Sequence, residues 1–194
     1  MAIGIALVIG AYLLGSIPTG FLIAKAFGID IRATGSGNIG ATNVYRSLGR
    51  KVGIITLLGD CLKGLIPILA VRYMQLPDIW VAATGLAAFF GHVYTVFLRF
   101  KGGKGVATAL GVFIGISPVS VVAAVAIFII VLLKWRYVSL ASISAAAAIP
   151  FIIAFIEKKE VLIAMSLVIA AIIIFRHSEN IRRLKNGTEN VFRS

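Results

Sequence analysis

The run ATALGVFIGISPVSVVAAVAIFIIVLL, residues 107–133, decides how this chain crosses its surroundings. It holds 27 uncharged residues, and as one helix it would extend about 40 Å, well beyond the ~30 Å hydrocarbon core of a bilayer. Ser117-Pro118 stands near its middle, and the residue before a proline is steered out of helical geometry. Whether this run is one segment or two determines which loops share a side.

Outward from it lie further apolar runs at 3–24, 52–72, 79–98, 138–156 and 161–175, most of them near the ~20 residues that a spanning helix needs. Hydrophobic residues make up 60% of the chain and charged ones 13%, and the mean hydropathy is +1.03. A soluble domain needs far more charged surface, so the expected fold is all-α, a polytopic membrane helix bundle. No repeat, linker or low-complexity tract divides residues 1–194, and one transmembrane domain is expected. The first run lacks a basic flank before it, which predicts a permanent span rather than a cleaved leader.

Charge arbitrates the span count. Lys and Arg total 19 against 7 Asp and Glu. With seven spans and the N-terminus outside, 15 cations, Arg193 among them, face the cytoplasm, while Arg72, Lys158 and Lys159 lie outside and Lys63 sits within a span. With six spans and the same start, the tally is 10 inside and 8 outside. The positive-inside rule therefore predicts seven transmembrane helices and a cytoplasmic C-terminus, with six spans or a re-entrant fourth segment as runner-up. Topology and anionic lipids account for the basic excess, and no nucleic-acid partner is expected. Cys61 is the single cysteine, lies in an apolar run and reads as an inert packed thiol.

This topology places loops 29–51, 99–108, 134–142 and 176–189 on one side. The first carries Gly35, Ser36, Gly37, Asn38, Thr42, Asn43 and Arg46. Glycines allow close backbone approach, Ser, Thr and Asn donate hydrogen bonds, and arginine grips phosphate oxygens as a fork. It is neither a Walker A motif nor a Rossmann fingerprint. The second carries Lys101, Gly102, Gly103 and Lys104, which suit an oxyanion-binding turn. In the last, His177 and Asn180 share a face if the helix continues, and His177 can act as a base or a donor. Ser139 and Ser142, one turn apart near Arg136, serve either the site or helix packing. Asp60 and Lys63 can pair at i,i+3 inside a span, where each charge costs roughly 2.5–3.5 kcal/mol, and His92 reads as a buried hydrogen-bonding histidine. No metal-ligand spacing and no nucleophile elbow is present, so no metal, cofactor or covalent acyl-enzyme is expected. Phe97 and Arg182 occupy the positions where a His-x4-Asp acyltransferase motif would need aspartate.

Together these clusters resemble the PlsY family, the bacterial acyl-phosphate:glycerol-3-phosphate acyltransferases. The resemblance rests on Gly15-Ser16-Ile17-Pro18, on Asp30-Ile31-Arg32 with the 35–43 stretch and Arg46, and on Phe100-Lys101-Gly102-Gly103-Lys104-Gly105. His177 with Asn180-Ile181-Arg182-Arg183-Leu184 and Gly187-Thr188-Glu189 completes it; residue 178 is Ser178 where the family commonly carries Arg. The resemblance implies transfer of a fatty acyl group from acyl-phosphate to the 1-hydroxyl of sn-glycerol-3-phosphate, yielding lysophosphatidate and phosphate, in the first acylation of phospholipid synthesis. It implies catalytic roles for Ser36, Arg46, Lys104, His177 and Asn180. Gly35, Gly37, Asn38, Thr42, Asn43, Lys101, Gly102, Gly103 and Ser142 would line the phosphate-binding surface. The expected setting is a bacterial inner membrane, with lipids as surroundings, the site facing the cytoplasm and the chain working as a monomer. The alternative is a small organic-phosphate transporter or binding protein.

Overall fold

The computed structural model describes residues 1–192, which contain helices and no strand; Arg193 lies outside the described residues. The chain forms two compact units, one covering Met1–Ile116 and the other running from Ser117 onward.

In the first unit, α1 (Ala2–Ser16) and α2 (Thr19–Ala26) come from one apolar run broken at Ile17-Pro18. Proline has no N–H to continue the ladder, and carbonyls released at membrane depth must find other donors. They do so here. Thr95 Oγ1 donates to the Ser16 carbonyl at 2.5 Å, and Lys63 Nζ donates to the Ile17 carbonyl at 2.8 Å. The helices α3 (Ala41–Leu48), α4 (Arg50–Tyr73) and α5 (Asp78–Val93) come next, then a 3-10 turn at Val96–Leu98 and α6 (Val106–Ile116). α1 packs along α5, and α6 along α4. Phe89, Ile68, Val71, Val93 and Val112 are fully buried in the core of this unit. Arg72 closes the far end of α6, its Nη1 donating to the carbonyls of Gly115 and Ile116 at 2.8 and 2.7 Å. A cation there satisfies carbonyls that a helix C-terminus leaves open.

The second unit contains α7 (Pro118–Trp135), α8 (Val138–Ile156), α9 (Glu160–Arg176) and α10 (Ser178–Lys185). α8 packs against both α7 and α9, around a core that includes Ile149, Ile153, Leu162, Met165 and Ile169. The 107–133 run does divide at Ser117: Pro118 opens α7, where its missing N–H is one of the groups a helix start leaves open anyway. At its other end, α9 meets α10 at a 54° bend.

Large apolar side chains cover the outer faces, including Ile54, Leu58, Leu62 and Ile66 on α4 and Val122, Ile130 and Leu133 on α7. Such a surface suits lipid. Among the described residues, five stretches are long and apolar enough to cross a membrane: Ala2–Ala26, Arg50–Tyr73, Asp78–Leu98, Pro118–Trp135 and Val138–Ile156. A sixth is reached if α9 and α10 form one bent span. The expectation of seven counted both halves of the 107–133 run, yet α6 has 11 residues and reaches only about 16 Å.

Lys63 and Asp60 are 2.8 Å apart and both buried. Replacing Lys63 with Met leaves a carboxylate in the protein interior without its ammonium and takes a donor from the Ile17 carbonyl. Lys63→Met is expected to lower stability by about 3–5 kcal/mol, the usual cost of removing one partner of a buried pair. The drop is read as a lower unfolding midpoint in detergent, and an Asp60→Asn, Lys63→Met double variant should lose less than the single one. An unchanged midpoint for Lys63→Met would contradict the role assigned to this pair.

Candidate active site

The loop before α3 is folded around one side chain. Asn43, in the first turn of α3, is 1% exposed. Its Nδ2 donates to the carbonyls of Ile31, Thr34 and Asn38 at 3.1, 2.9 and 2.9 Å, and its Oδ1 accepts the Ser36 N–H at 2.9 Å. The amide thereby satisfies a stretch of backbone that has no regular ladder. Gly35 and Gly37 take positive φ values of +59° and +68° along this path, and a Cβ on Gly35 would collide with Asn43 Oδ1. Beneath the loop, Ile31 and Ile39 pack with Ala24 and Val44 in a small buried cluster. Asn43, Gly35 and Gly37 therefore shape the loop, whereas Ser36 and Arg46 are exposed and Asn38 and Thr42 half-buried. Arg46 lies one turn beyond Thr42 on the same side of α3.

The second cluster closes against the end of α5. Gly102 N–H donates to the Val93 carbonyl and Gly103 N–H to the His92 carbonyl, both at 3.1 Å. These bonds satisfy carbonyls at the end of α5 and differ from the expected open oxyanion turn: the N–H groups of Gly102 and Gly103 are committed to α5. A Cβ on Gly102 would lie 2.7 Å from the Val93 oxygen, so glycine is required by the closeness of the two backbones. The cluster's cations remain, Lys101 exposed and Lys104 half-buried, the latter immediately ahead of α6. A helix N-terminus adds positive potential there.

In the second unit, the polar centre is a carboxylate. Glu189 Oε1 accepts from Ser139 Oγ at 2.9 Å and from Asn180 Nδ2 at 2.7 Å, and Oε2 accepts from Arg183 Nε at 2.7 Å. Burial opposes the charged form of Glu189, but the donors Arg183, Asn180 and Ser139 outweigh it and hold the carboxyl below its usual range. The chain reaches this position by turning back after α10, with Gly187 at φ +68° and the Phe192 N–H donating to the Arg136 carbonyl at 2.7 Å. His177 is buried at the α9–α10 bend, so it and Asn180 do not ride one straight helix. Its Nδ1 is 2.7 Å from the Ile173 carbonyl. A carbonyl can only accept, so Nδ1 carries a hydrogen and donates it to that carbonyl. Ser142 Oγ donates to the Val138 carbonyl one turn back at 2.8 Å, the helix-internal bond open to any helical serine.

The comparisons with known proteins agree with one another. A family model described as glycerol-3-phosphate acyltransferase matches residues 5–187. The chain belongs to the glycerol-3-phosphate acyltransferase family. It is 78% identical over 189 residues to the glycerol-3-phosphate acyltransferase of Geotalea daltonii, covering 97% of each chain. With that of Geobacter sulfurreducens it shares 66% identity over 184 residues, covering 95% of each. The crystal structure of PlsY, an integral membrane glycerol 3-phosphate acyltransferase, in its glycerol 3-phosphate form superposes with a TM-score of 0.95 at 47% identity, covering 98% of this chain and 96% of that one. The lysophosphatidic acid form of PlsY gives a TM-score of 0.92 at 46% identity, with 98% and 95% covered. This acyltransferase is thus a multi-pass bacterial membrane protein of phospholipid synthesis, and the transporter alternative gives way to the enzyme.

Asn43→Asp tests the frame of the first loop. Aspartate can still accept from the Ser36 N–H but cannot donate to three carbonyls, and it sets a charge against their oxygens. A displacement near 1 Å is expected to lower kcat/KM about 10²-fold. Helix content should be retained, as measured by circular dichroism alongside acyl transfer. Activity close to wild type would mean that the loop does not depend on this amide.

Proposed function

We propose that this acyltransferase moves a fatty acyl group from acyl-phosphate to the 1-hydroxyl of sn-glycerol-3-phosphate, producing lysophosphatidate and inorganic phosphate. The observation that carries this reading is the 0.95 and 0.92 superposition on PlsY in glycerol 3-phosphate and lysophosphatidic acid forms, an acceptor and its acylated product. The donor assignment is supported by the motif resemblance and by several separate cationic clusters, which suit two anionic substrates.

Acyl-phosphate is a mixed anhydride and already activated, so direct transfer needs no acyl-enzyme. The acceptor oxygen forms the new bond to the acyl carbon, the bond from that carbon to the phosphate oxygen breaks, and phosphate leaves with the electron pair. Ser36, Arg46 and Lys104 hold phosphate oxygens and stabilise charge that builds up on the leaving group. Lys101, Asn38 and Thr42 widen this polar surface, while Gly35, Gly37, Asn43, Gly102 and Gly103 give it shape. His177 and Asn180 orient glycerol-3-phosphate, and the hydroxyl proton passes either to the His177 imidazole or to the departing phosphate. Ser142, its proton committed to Val138, offers only an acceptor oxygen. In this reading α6 and α7 together leave and return to the cytoplasmic side of the inner membrane, so the loops 29–51, 99–108, 134–142 and 176–189 share that side and the N-terminus lies outside. The excess of Lys and Arg in those loops supports this orientation.

The test incubates the purified protein with labelled glycerol-3-phosphate and either acyl-phosphate or acyl-CoA. Lysophosphatidate should form from acyl-phosphate alone, and His177→Ala should lower kcat by about 10²–10⁴-fold if the imidazole takes the proton. Product from acyl-CoA alone, or from neither donor, would overturn the donor assignment.

A further inference from the structure

Within the first unit lies a buried polar cluster that the proposed chemistry does not use. Asp60, Lys63 and His92 are 1%, 4% and 4% exposed. Lys63 is paired with Asp60, and His92 Nδ1 stands 3.7 Å from the same Asp60 oxygen. The opposite edge of the imidazole faces the 99–105 turn. There, a Cβ on Gly103 would collide with His92 Nε2, while the Gly103 N–H donates to the His92 carbonyl at 3.1 Å. Gly102 is bonded in the same way to Val93, and Gly105 turns at φ +84° against the Phe89 ring. Lys104 is therefore carried on a segment seated on both sides, and the side chain under its preceding residue is His92.

We propose that His92, set in place by Asp60, is a positioning residue for Lys104. The imidazole forms the floor on which Gly102-Gly103 rests and so fixes how far the Lys104 ammonium reaches towards its anion. The chain of contacts is continuous: Asp60 on α4 meets one nitrogen of the ring, and Gly103 covers the other. A histidine serving α4–α5 packing alone would not need the next turn to close on its ring and on its carbonyl together. This function for His92 rests on the reading that Lys104 holds a substrate phosphate.

The experiment compares His92→Ala, Gly103→Ala, the two combined, and Lys104→Met. Each is measured for kcat, for KM towards glycerol-3-phosphate and acyl-phosphate, and for unfolding midpoint in detergent. His92→Ala is expected to raise the KM of one phosphate substrate at least tenfold, and the same substrate should be affected by Lys104→Met. Gly103→Ala should show the same defect, because its methyl strikes the ring. The double variant should recover towards the better single variant, since removing the ring makes room for that methyl. If His92→Ala does not fold, His92→Gln carries the measurement with the same readouts. A lowered midpoint with both KM values unchanged, or a double variant with multiplied defects, would overturn the proposal while Lys104→Met remains impaired. Wild-type kinetics in Lys104→Met would instead overturn the phosphate-holding role of Lys104, and this positioning role with it.

Discussion

The Lys63 ammonium stands 2.8 Å from both the Asp60 carboxylate and the Ile17 carbonyl, and much of the first unit is arranged around it. A helix broken at Pro18 leaves backbone oxygens in a region with little water, where each lacking a donor is costly. Lys63 from α4 and Thr95 from the end of α5 supply those donors. The same two contacts tie α1 and α2 to both longer helices. The ion pair thus answers a backbone problem created by proline, and it explains why charges are retained inside an apolar helix.

Several polar groups of these loops serve to shape the backbone. Asn43 gives its entire amide to the backbone around it, and Gly102 and Gly103 give their N–H groups to α5. Bonds of this kind define the path of the loop backbone, and electrostatic stabilisation without reorganisation depends on such a frame. In the second unit Glu189 acts comparably, gathering Ser139, Asn180 and Arg183 at one carboxylate. The cationic and hydroxyl groups outside these frames are the ones assigned to phosphate.

Much of this is legible in the chain, and the exceptions have physical causes. The division at Ser117 comes from helix length and proline, and the Asp60–Lys63 pair from i,i+3 spacing. Composition alone requires a membrane fold. The direction in which an N–H points is a different matter, because it depends on the partner that tertiary packing brings close. The glycines of 102–103 therefore read as phosphate donors when they are close-packing positions. Glu189 is visible as part of a motif, but its partner Ser139 lies 50 residues away, beyond what local spacing conveys. The bend at His177 is hidden for a related reason: no proline or glycine marks it, and His177 ends one helix while preceding the next.

Catalysis in this scheme is direct transfer, in which preorganised loops hold two anions and no residue is acylated. The most direct measurement is rapid mixing of enzyme with acyl-phosphate in the absence of glycerol-3-phosphate, tracking phosphate release on the timescale of a single turnover. Direct transfer predicts no burst, with phosphate appearing only when the acceptor is added and in equal amount to lysophosphatidate. A burst matching the enzyme concentration, with acyl label retained on denatured protein, would contradict it.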